Sequence, residues 1–105
     1  MNKDEILIIL KEQFGGREIN HNTTLNYDLG YTVGDMYGFV LFLEQRFDVD
    51  MSNFSPDEYF EEDDNFPFFI RLFFKKKKRN NMIPLTIGHI INVIISKKWY
   101  GATYR

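Results

Sequence analysis

The stretch that most limits how this chain can fold runs from Asp28 to Asp50, DLGYTVGDMYGFVLFLEQRFDVD. A tight turn feeds a long apolar helix that stops in an acidic loop. Thr32 is placed to cap that helix, and Asp35 stands three residues later, where an acid completes a capping box. Met36, Val40, Leu43 and Phe47 then recur at helical spacing, with Phe39 beside them. Leu41 and Phe42 fall off this stripe, so the predicted helix, Val33 to Phe47, is apolar on more than one face. Such a helix either lies centrally or offers part of its surface to another molecule. Gly38 inside it costs about 1 kcal/mol relative to Ala, which predicts a close helix crossing there.

The remaining segments are arranged to pack against this helix. Ile6, Ile9, Leu10 and Phe14 predict a first helix over residues 3–14, with Asn2 as its cap and Gly15-Gly16 as its end. Residues 17–32 form a long polar connection, pinned by Ile19, Leu25 and Leu29. Ser55-Pro56-Asp57-Glu58 has the order of a short helix start, with Phe54, Tyr59 and Phe60 as anchors. Residues 66–80, FPFFIRLFFKKKKRN, predict a helix of two or three turns led by Asn65 and Pro67. Ile87, Ile90, Ile91 and Ile94 predict a final helix from Ile87 to Lys98, capped by Thr86 and closed by Trp99, before a frayed tail at 100–105. The sum is one all-α domain over residues 1–105: a four-helix bundle with a basic, aromatic-rich insert at about 65–83.

Composition removes several function classes. With no Cys among 105 residues, disulfides and thiolate metal sites are excluded. His21 and His89 fall in different elements with no nucleophile motif beside either, so no catalytic residue is assigned. Neither metal-site nor EF-hand spacing occurs, and no metal or cofactor is expected. No apolar run approaches the ~18 residues that cross a bilayer, and the N-terminus lacks the form of a secretory signal. The expectation is a cytoplasmic protein.

The net charge of −2 conceals a strong polarity: residues 18–64 carry −11 and residues 65–105 carry +9. Either the halves attract each other within the domain, or one of them meets an external partner. The cluster Lys75, Lys76, Lys77, Lys78 and Arg79, beside Phe68, Phe69, Phe73 and Phe74, has the chemistry of a segment that binds an anionic membrane surface. Nucleic acid is the weaker candidate, because the acidic segment repels it.

Asp28-Leu29-Gly30, a short gap, and then Leu43-Glu44-Gln45-Arg46-Phe47-Asp48-Val49-Asp50 resembles the heart of acyl carrier proteins, and Leu85-Thr86-Ile87-Gly88 through Ile91 resembles the start of their final helix. The resemblance spans roughly residues 4–64 and 84–98 and implies a carrier-like four-helix bundle. Carriers hold phosphopantetheine on a serine in an Asp-Ser-Leu triplet. Here those positions are Thr32-Val33-Gly34, and Val33 has no hydroxyl to esterify. With Gly34-Asp35, Tyr59-Phe60 and Lys98-Trp99 added, the chain looks like a narrower group. This is an uncharacterised family of small carrier-like bacterial domains, found largely in enterobacteria and lacking the serine.

The resemblance therefore implies a non-enzymatic interaction module without a cofactor. Its expected partner is an unidentified protein, with enzymes of lipid or acyl metabolism as the class suggested. The expected contact surface centres on Asp35, Met36, Phe39, Phe42 and Glu44, with Asp48 and Asp50 at the rim. The alternative is a peripheral adaptor that binds membranes through the segment at 66–79.

Overall fold

The computed structural model describes residues 1–56, 59–60 and 83–102. Among these residues it contains three α-helices and no strand: α1 (Lys3–Gln13), α2 (Val33–Phe47) and α3 (Ile87–Ser96). The all-α class is as predicted. The helix expected at 66–80 and the whole basic cluster Lys75–Arg79 lie outside the described residues, as do Asp57 and Glu58 of the short helix start.

Each helix begins and ends for a local reason. The Asn2 side chain accepts a hydrogen bond from the Glu5 amide at 2.9 Å, which satisfies a first-turn donor of α1. Gly15 and Gly16 then take positive φ angles, and the Gly16 amide returns to the Lys11 carbonyl. At α2 the Asp35 carboxylate accepts from the Thr32 amide at 3.0 Å, within the capping box the sequence predicts. That helix stops where Asp48 enters the left-handed region at φ 55°. The Thr86 hydroxyl accepts from the His89 amide to start α3, and Lys97 at φ 61° ends it.

The connection at 17–32 is built into the fold rather than draped over it. Its carbonyls at His21 and Thr23 accept from the amides of Gly88 and Ile87, the first-turn donors of α3 that no helical carbonyl can reach. The Asp28 carboxylate accepts from both the amide and hydroxyl of Thr24, which curls the chain back. Leu25 is fully buried, and Ile19 and Leu29 pack half-buried against the core, as expected.

The core collects Ile6, Leu10 and Phe14, then Met36, Phe39, Leu43 and Phe47, then Tyr59 and Phe60. From α3 come Ile87, Ile90, Ile91, Val93 and Ile94, each 2% exposed or less. Burying a side chain of this size contributes about 1.5–3 kcal/mol, so α3 alone supplies on the order of 10 kcal/mol before conformational entropy is counted. The α3 stripe matches the predicted spacing.

Two expectations are corrected. Among the described residues nothing lies within 4 Å of where a β-carbon of Gly38 would stand, so none of the described helices crosses there. The chain after Trp99 is not frayed through residue 102. The Tyr100 carbonyl lies 2.8 Å from the His89 Nε2, and the Ala102 amide donates to the Tyr59 hydroxyl at 3.1 Å. Trp99 closes one end of the core as expected, meeting Phe54 at 4.6 Å and Tyr59 at 5.6 Å.

Candidate interaction surface

Helix α2 divides sharply by side. The core claims Met36, Phe39, Leu43 and Phe47. With 3.6 residues per turn, the opposite strip presents Tyr37, Leu41 and Glu44, with Asp48 at its end. Tyr37 is 66% exposed and Leu41 is 55% exposed, one turn apart. A tyrosine and a leucine held open on one helix strip, with acids beside them, can bury apolar area and attract cations at the same time.

This arrangement corrects part of the expected contact surface. Met36 and Phe39 are 1% and 2% exposed, because the helical period turns them into the core, where they cannot touch a partner. Phe39 stacks on Phe14 at 5.4 Å and on Phe42 at 5.8 Å. Phe42 is half-buried and meets the Phe47 ring edge-on, and the helical period puts it on the flank of α2 away from Tyr37, Leu41 and Glu44, so it is not part of the outward strip. Asp35, Glu44, Asp48 and Asp50 are exposed, as expected. Tyr37 and Leu41 are the members sequence reasoning left out. The signal was there in Leu41, which lay off the apolar stripe.

The acids differ in how firmly they are held. Asp35 is engaged by the Thr32 amide and hydroxyl at the start of α2. Its charge, after the larger effect of burial, raises the pKa of the half-buried Tyr31 phenol, while Arg17 acts in the opposite direction. Asp50 is lowered from the ordinary 3.8, chiefly by hydrogen bonds from the Ser52 hydroxyl and amide, with a smaller contribution from Lys98. Its backbone is fixed on both sides, as its amide donates to the Lys97 carbonyl and its carbonyl accepts from the Trp99 amide. The Lys97 ammonium also donates to the Phe47 carbonyl, placing a cation at the negative end of α2. Among the described residues none of these four carboxylates has a salt-bridge partner, the one such pair being Lys11 and Glu18 at 3.3 Å.

Other places carry less chemistry. Val33, at the position where the resemblance would put a modifiable serine, is a half-buried hydrocarbon that packs on the core. Arg17, Asn20, Thr23 and Asp28 line an open polar depression at the surface. Among the described residues no three His, Cys, Asp or Glu side chains are placed to hold a metal ion, and no helix is long and apolar enough to cross a membrane.

A family model described as "Protein of unknown function (DUF1493)" matches residues 3–101, nearly the whole chain. The chain belongs to the DUF1493 family. The match takes in all three helices and the connection at 17–32, and membership of a family of unknown function is as the sequence led one to expect. No curated protein and no solved structure matches the chain.

Proposed function

We propose that this DUF1493 domain is a non-enzymatic, acyl-carrier-like module that binds another protein through the outward strip of α2 and carries no phosphopantetheine. The observation that supports it most is the pairing of exposed Tyr37 and Leu41 with Glu44 and Asp48 on one strip of the helix. Apolar anchors ringed by like charge suit a partner with a basic, partly apolar patch: the anchors give affinity and the charges speed encounter. The Asp-Leu-Gly stretch on which the resemblance rests forms a turn, with Asp28 bonded to Thr24 and Gly30 at φ 69°. Valine at position 33 leaves that scaffold without the hydroxyl a carrier uses.

The test compares the wild-type chain with a Glu44→Lys/Asp48→Lys double variant as bait in extracts of the source cell. Partner capture that weakens with salt in the wild type and disappears in the variant supports the reading. Capture of the same protein by both, with the same salt dependence, overturns it. Intact mass after incubation with a pantetheinyl transferase and coenzyme A is expected to stay unchanged, and a phosphopantetheine adduct would return the chain to the loaded carriers.

A further inference from the structure

Asn26 sits in a polar loop and is only 5% exposed. Its side-chain amide is used on every side. The Nδ2 group donates to the Tyr59 carbonyl at 2.8 Å and to the Ile83 carbonyl at 2.7 Å. The Oδ1 atom accepts from the Tyr27 amide at 3.0 Å and the Leu85 amide at 3.3 Å. One planar group thus ties the chain just before residue 61 to the chain just after residue 82. The two carbonyl oxygens can be no further apart than those two bonds laid end to end.

We infer that Asn26 is a clasp that makes residues 61–82 a separable insertion, so that the core closes across Phe60 and Ile83 whatever lies between. Each side of the join is also fastened on its own. Before it, the Tyr59 ring packs on Trp99 and its hydroxyl accepts from the Ala102 amide. After it, the Leu85 carbonyl accepts from the Leu25 amide, and Ile87 and Gly88 are bonded to the connection at 17–32. Between ends that are already adjacent and held, loop closure depends only slowly on length. An amide suits this position because its two N–H groups reach two carbonyls while its oxygen still accepts, which neither a carboxylate nor a hydroxyl can do. The sequence between Phe60 and Ile83 is thereby free to change without altering the described helices.

The test replaces residues 61–82 with a Gly-Ser linker of four residues and, in a second variant, of eight, and places Asn26→Ala in the full chain and in both shortened chains. The expected result is a helical far-ultraviolet spectrum and a cooperative melt in both shortened chains, at or above the full-chain midpoint. The Leu85 amide should remain protected from hydrogen exchange, and Asn26→Ala should lower the midpoint by several degrees in all three. Loss of the cooperative melt with both linkers overturns the inference, as does an Asn26→Ala change that leaves the full-chain midpoint where it was.

Discussion

The Gly88 amide donates to the His21 carbonyl at 2.9 Å, and a β-carbon at position 88 would stand 3.0 Å from that same oxygen. The first turn of α3 therefore meets the backbone of the connection at 17–32 with no room for a side chain. Gly88→Ala gains about 1 kcal/mol of helix propensity. It also pushes the two backbones apart, and that cost is the larger, so a net loss of about 1–2 kcal/mol is expected. Urea unfolding monitored by circular dichroism measures it. The same substitution at Gly38, which no described residue approaches within 4 Å, is expected to stabilise instead.

Asn26→Ala leaves the Tyr59 and Ile83 carbonyls and the Leu85 amide without a shared partner. Each buried bond so lost costs roughly 1–3 kcal/mol, and water or other partners recover part of it, so a total loss of about 2–4 kcal/mol is expected. Asn26→Asp removes both donors while keeping the shape. Equilibrium unfolding at neutral pH should place it no better than the alanine variant, because it also buries a charge.

Core and surface residues on α2 should separate cleanly. Phe39→Ala empties a site that is 2% exposed and is expected to cost about 3–5 kcal/mol. Tyr37→Ala, two residues earlier on the outward strip, should change stability by no more than about 0.5 kcal/mol while weakening partner capture. Melting curves of the two variants, followed by binding assays on whichever remains folded, check both halves of this expectation.

Asp48 ends α2 in the left-handed region at φ 55°, where a β-carbon is strained and glycine is not. Asp48→Gly is expected to raise stability by roughly 0.5–1 kcal/mol. Lys97 is in the same conformation at φ 61°, but its ammonium also bonds the Phe47 carbonyl, so Lys97→Gly should gain less or lose. A pair of thermal melts distinguishes the two positions.

Asp50 binds protons less readily in the folded chain than the ordinary 3.8, because the Ser52 hydroxyl and amide favour its carboxylate. A carboxyl whose folded pKa is depressed adds stability above its unfolded value, and that share is lost as pH falls through the folded value. The stability difference between the wild-type chain and Asp50→Asn should therefore be full at neutral pH and should shrink on acidification below about pH 4. A difference that stays constant from pH 7 to pH 2.5 in urea titrations would count against this linkage.

Where structure follows local pattern, the sequence already carried it. The spacing of Ile6, Leu10 and Phe14, of Met36, Leu43 and Phe47, and of Ile87 through Ile94 places all these residues in the core. The caps at Asn2 and Thr86 fall where the side-chain chemistry puts them. Asn26 could not be found this way. It lies among polar residues that read as solvated, and its partners Tyr59, Ile83 and Leu85 are far along the chain, so no period marks it. Gly38 shows a related limit: glycine in a helix signals a close approach only when another element is there, and among the described residues none is. On the candidate surface, the acids were legible because charge stays outside. Met36 and Phe39 lie in the core as their spacing indicates, and it was their assignment to the contact surface that failed, because an apolar residue on a two-faced helix can belong to either side until the packing chooses.

The burial of α3 has a consequence for the order in which the protein is made. Ile87, Ile90, Ile91, Val93 and Ile94 hold the centre of the core, yet they leave the ribosome after α1 and α2. Until residue 94 has emerged, Leu10, Met36 and Leu43 have no complete core to enter, and the first two helices are left with exposed apolar stripes. The nascent chain thus keeps these two apolar stripes open until α3 has emerged to cover them.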